Sequence, residues 1–202
     1  MIVNPFAPPR LGSDDPHQGI DLADVDPVYQ MALEGRPVHA VIGGTVAGVI
    51  VDRFPYGNAI LVETPLEQIP AAWLETLQIP TPAPFRAQNP VLTCPESAFD
   101  PESISGPRSL YLLYAHFKEP PALQTGDLIT CGMPIGIIGN SGNALNPHVH
   151  IEVRVGPSNV RFESMAHYTG SASLEEMANY CLWRVSEAFQ LLDPQQLFAH
   201  GE

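Results

Sequence analysis

Two histidines one residue apart, His148 and His150, stand in the run Pro147-His148-Val149-His150-Ile151-Glu152-Val153-Arg154. On an extended strand, residues two apart share a face, so both imidazoles point the same way. Neutral imidazole is a common side-chain metal ligand near neutral pH. Other short pieces carry matching chemistry. His17 and Asp21 share one face of an extended segment, and His116 closes the run Tyr114-Ala115-His116. Two or three imidazoles with one carboxylate form a borderline-hard N/O donor set, of the kind that binds zinc and leaves a position for water. The sequence has no HExxH, so the helix-borne form of zinc site is excluded.

These residues need strands to position them. Val149, Ile151, Val153 and Val155 fall on one face of the His150 strand, and His148, His150, Glu152 and Arg154 on the other. The alternation predicts one face on a core and one facing a groove. Short strands are predicted at 38–42, 45–51, 59–63, 110–117, 128–130 and 135–138. Glycine-rich turns between them argue antiparallel hairpins. Residues 1–16 read as a proline-rich lead-in. Residues 64–108 hold nine prolines and break the pattern. A short helix is expected at 69–77, and the rest reads as a covering flap or a mobile insertion. Ser173 with Glu176 forms a capping box. Leu174, Met177, Ala178, Cys181, Leu182, Val185, Ala188, Phe189 and Leu192 then mark one face of a helix packed on the outside of the sheet. Asp193-Pro194 caps a short final turn. The expectation is one domain over 1–202, with a core at about 15–63 and 109–156 and a C-terminal helical extension at 173–202.

The formal net charge of −13 argues against nucleic acid or anionic lipid as a partner. No apolar run is long enough for a transmembrane helix. The start Met1-Ile2-Val3-Asn4-Pro5 lacks the basic and apolar regions of a signal peptide. Three scattered cysteines outline no disulfide framework. Cys181 reads as a buried helix residue, and Cys94 and Cys131 are the two that could pair.

The pieces His17-x-x-x-Asp21, Tyr114-Ala115-His116 and His148-x-His150 together resemble the three motifs of the lysostaphin-type (LytM-type) zinc endopeptidases. Pro37-Val38-His39-Ala40, Gly44-Thr45-Val46, Tyr56-Gly57-Asn58, Gly126-Asp127, Ile135-Gly136 and Gly139-Asn140-Ser141-Gly142 follow the family in order. The resemblance implies a mainly β fold: an antiparallel sheet core with a narrow groove, here with a long insertion and added helix. It implies that His17, Asp21 and His150 bind one Zn²⁺ per chain, and that His116 and His148 act on the water and the transition state. The implied substrate is a peptide of peptidoglycan, in cross-bridges or stem peptides. The implied place is the cell envelope or outside the cell, with the cytoplasm left open because no leader is visible. A catalytically silent relative that regulates a wall hydrolase, or a peptidase of non-wall peptides, are the alternatives. Gly57, Gly139 and Gly142 are expected to allow close backbone approach at the groove rim. Glu152 is read as holding a ligand or a neighbour. His39 is read as structural, and His167 and His200 as solvated. Tyr114, Trp73 and Trp183 are read as packing residues, with Tyr56 open between packing and substrate.

Overall fold

The structure is a computed structural model, and it describes residues 1–10, 13–87, 89 and 92–198. Eight strands form one sheet: β1 (Ile2–Asn4), β2 (Ile20–Leu22), β4 (Gly44–Arg53), β5 (Gly57–Pro65), β6 (Arg108–Phe117), β7 (Leu128–Ile129), β9 (Val149–Pro157) and β10 (Gln190–Leu192). The order across it is β1-β2-β9-β6-β5-β4-β7, with β10 also pairing with β9, and all pairs are antiparallel. β3 (Pro37–His39) and β8 (Pro134–Ile137) form a separate two-stranded ribbon. The expected antiparallel sheet core is what the chain builds, and Pro37 and Pro134 sit at strand starts, where a missing N–H costs least.

The central strands are buried on both faces. Ile60, Val62, Leu110, Leu112 and Tyr114 pack into one apolar cluster with Val149, Ile151, Val153 and Val155. Ala59, Leu61, Tyr111, Leu113 and Ala115 alternate with them into a second cluster on the opposite face. That second face is covered by α2 (Leu174–Arg184), as the apolar stripe predicted. Ser173 caps it by accepting from the Glu176 N–H at 3.1 Å. The helix stops at Arg184, however, and does not run to Leu192. Val185, its C-cap, already leaves helical geometry at φ −134°, Glu187 beyond it adopts φ 67°, and β10 then pairs with the open edge of β9 at Val153–Val155. No glycine or proline marks that stop. The edge of β9 captures the chain, and Phe189 enters the second cluster.

The stretch between β5 and β6 wraps the sheet. A short helix, α1 (Ala71–Leu74), stands where 69–77 was expected. Ile69 and Leu77 join the first cluster, whereas Leu92 joins the second, flanked by Phe85, Phe99 and Ile104. The same stretch runs beside the C-terminal segment. Arg86 N–H donates to Ser186 O at 2.8 Å, and Gln190 Nε2 donates to Thr81 O at 2.7 Å. α3 (Gln195–Phe198) is the final turn, opened by Asp193 accepting from the Gln195 N–H.

Cysteine pairing differs from expectation. Cys94 bonds to Cys181 of α2, and Cys131 is free and exposed. Cys94 packs beside the second cluster, whereas Cys131 follows β7, whose Ile129 belongs to the first. The sheet stands between them. His167 is also buried rather than solvated. Its Nε2 lies 2.9 Å from Thr93 O, and its Nδ1 accepts from the Tyr168 N–H. His200 lies outside the described residues.

Candidate metal centre

Register places the centre. In the β2–β9 pair Asp21 lies directly opposite His150, so the two side chains meet on one face. β1 adds Asn4, whose Nδ2 donates to Asp21 Oδ2 at 3.0 Å. His17 approaches from the chain just before β2. Gly19 lets that chain pass close, since a Cβ there would lie 2.6 Å from the His150 ring. His148 precedes β9, its N–H bonded to Gly139 O at 3.0 Å.

His116 reaches the groove only because β6 breaks its alternation. Strict period two would send it to the face of Tyr114, away from His150. Between Asn58↔Phe117 and Ile60↔Tyr114, however, β6 has one residue more than β5. This is a β-bulge, a device that re-aims a side chain. His116 sits in it at φ 66°, an uncommon conformation for which histidine is enriched among non-glycines. The loop 139–143 holds the ring, with Ser141 O 2.8 Å from Nδ1. That loop presses on the Tyr56–Asn58 turn through Gly57 and Gly142. A Cβ on Gly142 would lie 2.4 Å from the Gly57 nitrogen. These two glycines serve loop-to-loop contact.

His17 Nε2, Asp21 Oδ1 and His150 Nδ1 converge. The pairs are 3.1 Å (His17–Asp21), 3.1 Å (His17–His150) and 2.8 Å (His150–Asp21) apart. Outward partners fix the tautomers. His17 Nδ1 faces Pro5 O at 2.9 Å, and His150 Nε2 faces Glu152 Oε1 at 3.3 Å, both acceptors. With the ring protons on the outer nitrogens, lone pairs face inward beside a carboxylate. In that form three such donors this close repel one another unless a positive charge, a proton or a metal ion, lies between them. Their spacing is slightly under the roughly 3.3 Å edge of a tetrahedral zinc site with ordinary bond lengths. The donor set fits zinc by residue type and spacing. Burial opposes ionisation of Asp21, but its contacts with His150 and His17 outweigh it and hold the carboxyl well below its usual range. Burial likewise opposes charge on His150, yet Asp21 and Glu152 raise its basicity.

His116 and His148 stand beside this set with ring centroids 4.8 Å apart. His116 lies 5.8 Å from His150 by the same measure. His148 Nδ1 is held by Asn146 O at 2.8 Å, and its Nε2 lies 3.5 Å from Asp21 Oδ1. In both rings a carbonyl fixes Nδ1 as the protonated nitrogen and leaves Nε2 for the groove. Burial pushes the His116 imidazole down to about 3. His116 is thus a neutral base.

The expectation that the whole polar face of β9 borders the groove is corrected. Glu152 and Arg154 are buried beneath α2. Glu152 accepts from Tyr56 Oη (2.8 Å), Trp183 Nε1 (2.8 Å), Arg184 Nη1 (2.5 Å) and Arg154 Nη2 (3.1 Å), besides facing His150. Burial would keep it protonated, but Arg184 and Arg154 outweigh this and hold it ionised. Sequence reasoning assigned Glu152 to this supporting place. It missed Arg184, Asp14 and Tyr180. Arg184 Nε donates to Asp14 Oδ1 at 2.5 Å, and Tyr180 Oη to Asp14 Oδ2 at 2.7 Å. The available signal was an arginine closing the last turn of an otherwise apolar helix face. Tyr56 and Trp183 are buried, as is Tyr114, whose Oη accepts from the Val41 N–H. His39 is exposed at the end of β3.

A groove of about 920 Å³ opens onto the centre. Val3, Met31, Phe54, Leu145 and Tyr168 form parts of its wall. Among the described residues none from 64–108 lines it, so the stretch expected as a flap lies elsewhere.

The chain is similar in structure to M23 peptidases. It aligns with the catalytic domain of a mutant of the prophage-encoded M23 protein EnpA from Enterococcus faecalis (20% identity, 83% of this chain and 88% of that chain, TM-score 0.43). It aligns with the catalytic domain of the antimicrobial peptidase lysostaphin from Staphylococcus simulans (17%, 77% and 77%, 0.40). A zinc-containing peptidase from Vibrio cholerae also aligns (22%, 76% of this chain, 0.41), and there the chain spans only 32% of that protein. No protein-family model and no curated protein matches the chain.

Proposed function

We propose that the protein is a zinc-dependent endopeptidase that hydrolyses peptide bonds in peptidoglycan. The observation that carries the reaction class is the convergence of His17 Nε2, Asp21 Oδ1 and His150 Nδ1 beside two imidazoles whose Nε2 atoms face the same groove. The substrate class rests on the resemblance of the histidine motifs to those of lysostaphin-type enzymes.

Zinc held by such a set supplies a Lewis acid that acidifies a water and polarises a carbonyl. The chain supplies the rest. Asp21 and the two ligand imidazoles bring one negative charge, so the centre keeps net positive character toward a carbonyl oxygen. Glu152 locks the His150 ring by accepting from Nε2. His116, neutral and fixed at Nδ1, offers Nε2 to a proton leaving the attacking water. His148 in its protonated form stabilises negative charge on the former carbonyl oxygen, and the proton that His116 takes from the water is the one returned to the leaving amine. The Cys94–Cys181 disulfide supports a place in an oxidising compartment, the envelope or beyond. No helix among the described residues is long and apolar enough to cross a membrane.

The test is digestion of purified peptidoglycan sacculi with and without a chelator, with fragment analysis. New amino and carboxyl termini that form only without chelator are expected. Intact sacculi in both arms, with zinc bound, would move the substrate to a non-wall peptide.

A further inference from the structure

We infer that α2 sets the metal affinity of the centre, with Arg184 as its positioning residue. This rests on the reading of His17, Asp21 and His150 as zinc ligands. Arg184 joins the segments that carry the two imidazole ligands. Its Nη1 donates to Glu152 Oε1, the atom that faces His150 Nε2. Its Nε donates to Asp14 Oδ1, and its Nη2 to Asp14 O at 3.0 Å, three residues before His17. Next to it, Trp183 Nε1 donates to Glu152 Oε2 at 2.8 Å. α2 is itself fixed by its capping box and by the disulfide at Cys181, one turn before Arg184.

Two effects of Arg184 on a bound cation oppose each other. As a charge it repels a dication. As a brace it holds both ligand-bearing segments. Two carboxylates touch the guanidinium, so its charge is largely matched at contact range and its net field at the ligand set is small. Bracing therefore wins. A planar fork is needed to reach Glu152 and Asp14 together, and an ammonium on a flexible stem cannot do so.

The substitutions separate the two effects. Arg184→Lys keeps the charge and loses the fork. Arg184→Gln loses both. Trp183→Phe keeps most of the packing and removes one donor to Glu152. Zinc affinity is measured with Zn²⁺ alone, by competition with a chromophoric chelator. Far-ultraviolet circular dichroism reports the fold, and the visible spectrum of the Co²⁺-loaded protein reports ligand geometry.

Both Arg184 variants are expected to bind zinc about 10- to 100-fold more weakly, the range for losing a group that orients a ligand. Trp183→Phe should lose a few-fold, with an altered Co²⁺ spectrum and an unchanged fold. Unchanged affinity in Arg184→Lys, or tighter binding in Arg184→Gln, would overturn the inference. Should the Arg184 variants fail to fold, unchanged zinc affinity and Co²⁺ spectrum in Trp183→Phe overturns it alone. A wild-type chain that takes up no zinc sinks the ligand assignment itself, a result distinct from the others.

Discussion

His148 and His150, at one end of the polar face of β9, border an open groove, whereas Glu152 and Arg154, at the other end, are sealed beneath α2. All four follow the same period-two rule. What separates their roles is the cover. At the open end, each imidazole is held by an outer partner and keeps a nitrogen for chemistry. At the covered end, every donor and acceptor is spent on a neighbour, and charge is balanced inside the protein. One strand face thus provides the candidate metal centre and its support, joined at the contact between His150 Nε2 and Glu152 Oε1.

The largest expected effects fall at the open end and distinguish its two histidines. His150→Ala should lose both zinc and turnover, because His150 Nδ1 is one of three converging donors. His148→Ala should keep zinc while turnover falls by about 10²–10⁴, the usual range for general acid–base help. His116→Ala should behave like His148→Ala, and the losses should combine far less than additively if both serve one transition state. Zinc content measured beside turnover for each purified variant decides. Zinc lost in His148→Ala but retained in His150→Ala reverses the assignment.

At the covered end the expected effect is on stability. Glu152→Leu leaves Arg154 and Arg184 buried with one shared acceptor fewer, and Asp14 cannot reach both. Breaking a buried ion cluster in this way costs about 3–5 kcal/mol. Urea unfolding of the zinc-free protein reads this cost without the metal's own contribution. A loss under about 1 kcal/mol would mean that the covered end is not the tightly matched cluster described, on the scale of buried charge removal.

The cover itself is testable next. Cys94→Ser releases α2 from the stretch between β5 and β6. Removing this disulfide costs about 2–5 kcal/mol, read as a lower melting temperature. Leu182→Ala, a buried residue on the same helix, should cost about 2–5 kcal/mol. If neither moves the melting transition, α2 is not the seal that separates the two ends of β9.

This contrast also marks what the sequence made legible. The donors were readable because strand periodicity and short spacings act locally: His148-x-His150 and His17-x-x-x-Asp21 need only extended chain to share a face. The alternation in β9 and the capping box at Ser173 were readable for the same reason. The cover was not. Which residues lie over Glu152 depends on how α2 docks, and the pairing of Cys94 with Cys181 depends on a stretch that wraps both faces of the sheet. The end of α2 was misread because no glycine or proline stops it, and the competing pull, pairing with the edge of β9, is long-range. His116 shows the opposite case. Its motif pointed to the site, but strict alternation would have turned it away, and only the bulge opposite Ala59 brings it in.

The smallest expected effect sharpens the open end. Leu145 is 96% exposed and stands on the groove wall between the Ser141 loop and His148. It buries almost nothing, so the folded state gains little from it. Leu145→Ser should therefore change stability by no more than about 0.5 kcal/mol. Zinc content should be unchanged, since no donor touches it. A peptide lying in the groove would cover this side chain in the ground state and transition state alike. Such uniform binding appears in KM and not in kcat. A KM raised a few-fold with kcat unchanged places the substrate along the wall that carries Leu145. Identical KM and kcat would put the bound peptide on the opposite side, toward Val3 and Met31, and would leave Leu145 as surface alone.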